Sequence, residues 1–107
     1  MTMKPPILKA IKNLDFIYDV TLPDQDLTGC EIVMKIRQNP NDSNIITQAN
    51  ILPVNLENGF FTIFLNSQQT AQLPHTSYFD ILISKPSGER VLIAQGGIVK
   101  AYEYVSR

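Results

Sequence analysis

From Thr76 onward the sequence permits little other than a β-sheet. Ser77–Ser84 reads SYFDILIS, which puts Phe79, Ile81 and Ile83 on one face of a strand. Lys85–Glu89 is a turn, because Pro86 presets φ and Gly88 accepts a positive φ without a Cβ clash. Arg90–Gln95 is the return strand. Gly96-Gly97 predicts a bulge or a sharp bend rather than a phosphate cradle, since a strand and not a helix follows. Beyond it, Ile98, Lys100, Tyr102 and Tyr104 share one face of a strand that runs to Val105.

The same period of two recurs upstream. Cys30–Arg37 is the cleanest case, with Cys30, Ile32, Met34 and Ile36 inward and Glu31, Lys35 and Arg37 outward. In Asp15–Leu22, Phe16, Tyr18 and Val20 oppose Asp15, Ile17 and Asp19. Phe60–Leu65 is apolar on both sides, Phe61, Ile63 and Leu65 against Phe60, Thr62 and Phe64, so both faces are expected to be covered. Ile45–Ala49 and Ile51–Asn55 are short strand candidates, and Pro53 places the second at a sheet edge. Asn66–Pro74 is the one helical candidate, with Ser67 as N-cap and Pro74 as its stop. These segments predict an all-β, antiparallel β-sandwich of about seven to eight short strands with one short helical turn. Ile32, Met34, Ile36, Phe61, Ile63, Phe79, Ile81 and Ile83 are its predicted core.

At 107 residues the chain is long enough for one core. Residues 1–12 are expected as an extended N-terminal arm, because Pro5-Pro6 favours polyproline II, and 13–107 as a single sandwich domain. Ile7–Ile11 reads either as part of that arm or as an edge strand. The net charge is −1, from 9 basic and 10 acidic residues, with no Lys/Arg run, which argues against nucleic acid as a partner. No run approaches the roughly 18 apolar residues of a membrane span, and no leader is recognisable, so a product of the cytoplasm is expected.

Chemistry is sparse. Cys30 and His75 are the single cysteine and the single histidine, so no disulfide, His-ligated metal or catalytic triad is expected. Asp24 and Asp26 lack the later Gly and Glu of a calcium loop and read as turn caps. Neither enzymatic activity nor a cofactor is therefore expected. Tyr102 and Tyr104 suit packing or partner contact better than base stacking, because the basic groove is missing.

In order along the chain, several short motifs resemble one family. They are Asp15 with its alternating strand, Leu27-Thr28-Gly29 followed by Ile32–Arg37, and Asn66-Ser67-x-x-Thr70-x-x-Leu73. Tyr78-x-Asp80-Ile81, Ser87-Gly88, Gly96-Gly97-Ile98-Val99 and the final Ser106-Arg107 complete the series. Together they are similar to the small immunoglobulin-like domains of tailed-phage virion proteins, including the amino-terminal domain of siphophage baseplate upper proteins. The resemblance covers residues 15–107. It departs where His75-Thr76-Ser77 replaces a Gly common before the Tyr-x-Asp strand, and at Arg107, where the baseplate proteins continue.

The resemblance implies an immunoglobulin-like sandwich acting as a non-enzymatic structural protein of the virion, in the tail, neck, baseplate or capsid surface. Its partners would be other phage virion proteins, contacted in many copies after synthesis in the host cytoplasm. A carbohydrate- or host-surface-binding module is the alternative. Candidate partner-binding residues are Ile7 and Leu8 in the arm, Phe60 and Phe64 on the two-sided strand, and Tyr102 and Tyr104 near the end.

Overall fold

The alternation of Ser77–Ser84 becomes the central strand of the larger of two sheets. The computed structural model describes residues 3–103. Its strands are β1 (Ile7–Ile11), β2 (Phe16–Thr21), β3 (Glu31–Arg37), β4 (Thr47–Gln48), β5 (Asn50–Asn55), β6 (Phe60–Leu65), β7 (Thr76–Ser84) and β8 (Arg90–Tyr102). A 3-10 turn at Leu56–Asn58 links β5 to β6, and one short helix, α1 (Ser67–Ala71), precedes β7. β7 alternates buried and half-buried residues along its whole length, as a strand flanked on both sides must.

The five-stranded sheet runs β1-β8-β7-β3-β4, and the three-stranded sheet β2-β6-β5. Every pair is antiparallel except β1–β8. A β2-β6-β5 sheet packed on β8-β7-β3-β4, with the first strand placed beside the last, is the strand order of a variable-type immunoglobulin-like sandwich. The disulfide and tryptophan of antibody domains have no counterpart in this sequence. Phe61 from β6 and Phe79 from β7, one from each sheet, are the bulkiest fully buried side chains.

The alternating faces bury as read from the sequence. Met34, Ile36, Phe61, Ile63, Phe79, Ile81 and Ile83 are all buried, and Ile32 is partly buried against them. Leu8, Leu22, Leu27, Leu65, Leu73, Ile93 and Val99 are among the other buried residues of the interior.

The N-terminal segment differs from the expected arm. Ile7–Ile11 is a full strand, in parallel register with β8 from Ile7↔Ile98 to Ile11↔Tyr102. Leu8 and Ala10 are 2% and 1% exposed. The Met3 amide also donates to the Ile93 carbonyl at 2.8 Å, so even the stretch before Pro5-Pro6 lies along β8. Leu8 is therefore a core residue and not a docking residue. Burying it against the sandwich removes it from water as completely as any partner would.

Gly96-Gly97 does not separate two strands. β8 continues through it, with register shifts opposite Phe79–Ile81. Gly96 has φ +68, and a Cβ on Gly97 would lie 2.3 Å from the Phe79 ring. The bulge thus absorbs an extra residue while Gly97 leaves room for Phe79, the buried aromatic of β7.

Helix α1 closes one end of the sandwich. Its N-cap is Asn66, one residue before the predicted Ser67, because Asn66 and Gln69 form a reciprocal capping box. The Asn66 carbonyl Oδ1 accepts from the Gln69 amide, and Gln69 Oε1 accepts from the Asn66 amide, each at 2.9 Å. Gln69 also accepts from Asn50 Nδ2 at 3.1 Å and donates through Nε2 to Thr47 Oγ1 and the Gln48 carbonyl. The fully buried Thr70 hydroxyl lies 2.8 Å from the Leu14 carbonyl, which it reaches as donor. A five-residue helix with no stability of its own is held to the β4–β5 junction and the β1–β2 turn by these bonds.

Deleting residues 1–10 is expected to lower the unfolding free energy by at least about 2 kcal/mol, since Leu8 alone leaves a core cavity. Urea denaturation of the truncated chain checks this; unchanged stability would mean β1 is dispensable. Gly97→Ala is expected to cost roughly 1–3 kcal/mol through overpacking against Phe79. That cost should shrink in a Phe79→Leu background, a coupling that a double-mutant cycle measures.

Candidate protein-interaction face

The outer side of the three-stranded sheet exposes apolar side chains where an open sheet face ordinarily presents polar ones. β6 turns Phe61, Ile63 and Leu65 into the core, so Phe60, Thr62 and Phe64 point away from it. The ladders place Ile17 and Asn50 on either side of Phe64, Asp19 and Leu52 beside Thr62, and Thr21 and Asn55 beside Phe60. Ile17 is 63% exposed, Leu52 47%, Val54 67% and Phe60 39%.

One polar pair sits in the middle of this face. The Thr62 hydroxyl donates to Asp19 Oδ1 at 2.7 Å, and Thr62 is buried although it faces outward, flanked by Phe60 and Phe64 on its own strand. Asp19, Thr21, Val54, Phe60 and Thr62 line a shallow depression of about 240 Å³. The arrangement offers apolar contact and one carboxylate acceptor.

The five-stranded sheet has a different outer face. There Arg37 Nη1 donates to Asp80 Oδ2 at 3.1 Å, while Asp80 Oδ1 accepts from the Gly96 amide at 3.0 Å. One carboxylate thus ties β3, β7 and the bulge of β8 together. Val33, Leu82 and Leu92 make an apolar floor beside this pair and Lys35, in a depression of about 150 Å³. Lys9 and Lys100 face each other across the β1–β8 ladder, and the Lys100 ammonium donates to Thr76 Oγ1 at 2.9 Å.

The six residues expected to bind a partner therefore separate. Phe60 and Phe64 lie together on the three-stranded face. Ile7, 56% exposed, and Tyr102, 43% exposed, lie on the opposite sheet at its β1–β8 edge. The Tyr102 and His75 rings meet edge to face, with centroids 5.6 Å apart. Leu8 is buried, and Tyr104 falls outside the described residues. Ile17, Leu52 and Val54 belong to the apolar face but did not emerge as candidates. Ile17 was recoverable from its alternation with Asp15 and Asp19, whereas the bulge between Pro53 and Asn55 obscures the facing of β5.

The remaining chemical candidates stay apart. His75 is exposed, with Nδ1 3.3 Å from the Ala101 carbonyl. Asp26 accepts from the Thr28 amide at 2.9 Å, and the Thr28 hydroxyl, then this amide, hold its carboxyl below the usual aspartate range. Among the described residues no three His, Cys, Asp or Glu side chains converge on a point that could hold a metal.

No family model matches the sequence, and no curated protein does. Among solved structures the chain is similar to murine CRIg, at 14% identity and a TM-score of 0.48, over 97% of this chain and 98% of that one. The immunoglobulin-like assignment stands on the strand order itself.

Asp80→Ala removes acceptors for Arg37 and for the Gly96 amide at once. It is expected to cost about 1–3 kcal/mol in chemical denaturation, with Arg37→Ala costing less. The buried Ser77 Oγ has no hydrogen-bond partner among the described residues. Ser77→Ala is accordingly expected to leave stability unchanged or raise it by up to about 1 kcal/mol, and a clear loss would reveal a bond that this hydroxyl makes.

Proposed function

We propose that the protein is a non-enzymatic structural component of a tailed-phage virion that docks on other virion proteins in multiple copies. The observation that carries the reading is the uncovered apolar face of the three-stranded sheet, Ile17, Leu52, Val54 and Phe60 with the half-buried Phe64, around the Asp19–Thr62 pair. Contiguous exposed apolar surface on a small domain is a mark of a protein contact. The ordered motifs from Asp15 to Arg107 supply the virion context, through their resemblance to baseplate-type immunoglobulin-like domains.

On this reading the sheets are rigid docking plates, and the chemistry of the particle belongs to its partners. Phe60 and Phe64 act as aromatic anchors, and Ile7 and Tyr102 extend contact along the opposite edge. Because β1 is part of the sandwich, truncating the N-terminus tests folding and not docking.

Quantitative mass spectrometry of purified virions is expected to find the full-length protein at multiple copies per particle. Its absence would remove the reading. Val54→Asp and Phe60→Ser should retain the far-UV spectrum of the parent while reducing incorporation at least several-fold. Incorporation at the parental level would assign docking to another surface.

A further inference from the structure

The two sheets differ in charge as well as in size. Residues 13–30 and 50–74 build β2, β5, β6, α1 and their connecting turns. These stretches hold Asp15, Asp19, Asp24, Asp26 and Glu57 and not one Lys or Arg. Every Lys and Arg of the described chain lies instead on β1, β3 or β8 or in the short segments beside them. Lys9, Lys35, Arg37 and Lys100 point outward on the five-stranded sheet; Glu31 shares that face, Asp80 is taken by Arg37 and the Gly96 amide, and Lys12 and Lys85 pair with Glu103 and Glu89. A formal charge near zero thus conceals an uneven division: five acids and no base in these stretches, against eight bases and five acids in the rest of the described chain.

We propose that the protein associates with itself front to back, the acidic apolar face of the three-stranded sheet of one copy seating on the basic face of the five-stranded sheet of the next. The inference names the partner of the face discussed above and rests on that reading only in treating the face as an interface. Both plates combine charge with exposed apolar groups, Leu52, Val54 and Phe60 on one and Leu92 beside Val33 and Leu82 on the other. A symmetric contact between two three-stranded faces would bring Asp19, the carboxylate in the middle of that face, towards its own copy, which like-charge repulsion opposes. Unlike plates meeting produce a heterologous contact, which continues from copy to copy until it closes into a ring or is capped.

The contact is small. Three strands of about six residues give a plate roughly 20 Å long and 14 Å wide, below the roughly 800 Å² per partner of a standard stable interface. A pairwise dissociation constant on the order of 10⁻⁴ M is therefore expected, with stability arising from repetition and from the scaffold of other proteins.

Sedimentation velocity on the full chain, at protein concentrations up to about 1 mM, tests this. At roughly 50 mM salt the weight-average sedimentation coefficient should rise past the dimer value, and at roughly 500 mM salt the association should weaken about tenfold. Leu52→Arg on the three-stranded plate and Leu92→Arg on the five-stranded plate should each abolish association while keeping the parental far-UV spectrum. Val54→Arg substitutes for Leu52→Arg should that variant misfold. Mixed one to one, the two Arg variants each retain one intact plate, so they should form dimers and nothing larger. A wild-type chain monomeric at low salt overturns the proposal. So does a plateau at dimer that Leu92→Arg leaves unchanged, or a mixture that stays monomeric. None of these results bears on whether the protein is found in virions, which the particle measurement decides separately.

Discussion

The contact between the Phe79 ring and the Cα of Gly97 fixes much of the remaining architecture. Phe79 is among the largest side chains in the core, and it lies where β8 crosses β7. Any side chain at position 97 would compete for the same space, so the strand must present glycine there. The preceding Gly96, in a left-handed conformation, takes up the extra residue and offers its amide to Asp80. With the bulge in place β8 stays one strand over thirteen residues. Its first half pairs with the end of β7, and its second half pairs with β7 on one side and β1 on the other. The bond from the Gly96 amide to Asp80 and the seat for the first strand both depend on this one local accommodation.

A second constraint acts at the end of the sandwich. Two sheets that meet only through apolar side chains can slide, because the hydrophobic effect has no direction. Gln69 supplies direction. Its single amide group meets the helix start, the β4 hydroxyl and carbonyl, and the β5 amide side chain. Thr70, one residue on, reaches the β1–β2 turn. Both sheets are thereby keyed to one helical turn by bonds whose geometry is specific.

How much of this was legible in the sequence depended on the range of the interaction. Alternation reports which side of a strand faces the core, and it placed Met34, Ile36, Phe61, Ile63, Phe79, Ile81 and Ile83 correctly. It says nothing about which strand lies beside which. Ile7–Ile11 therefore looked like either an arm or an edge strand, because its partner is nearly the whole described chain away and no local pattern announces parallel pairing. The N-cap moved by one residue because Asn66 and Ser67 are both good caps, and Gln69 decides between them only once its reciprocal bond is seen. The interaction face was half legible. Phe60 and Phe64 stood out by composition, while Val54 needed the bulged register of β5 to be assigned a side.

The parallel pairing of β1 with β8 also sets the order in which the molecule can be completed. Leu8 and Ala10 are made before every other described strand, yet β8, the strand that hides them, is made after all of the others. Until then the five-stranded sheet lacks one flank, and β7 waits with Phe79 uncovered on the side that Gly97 will occupy. Contacts so distant in sequence form slowly, since the ends must meet before either gains anything. Synthesis of β8 is thus the closing step of the domain: a nascent chain stalled before Gly96 lacks the strand against which Leu8 and Ala10 are buried.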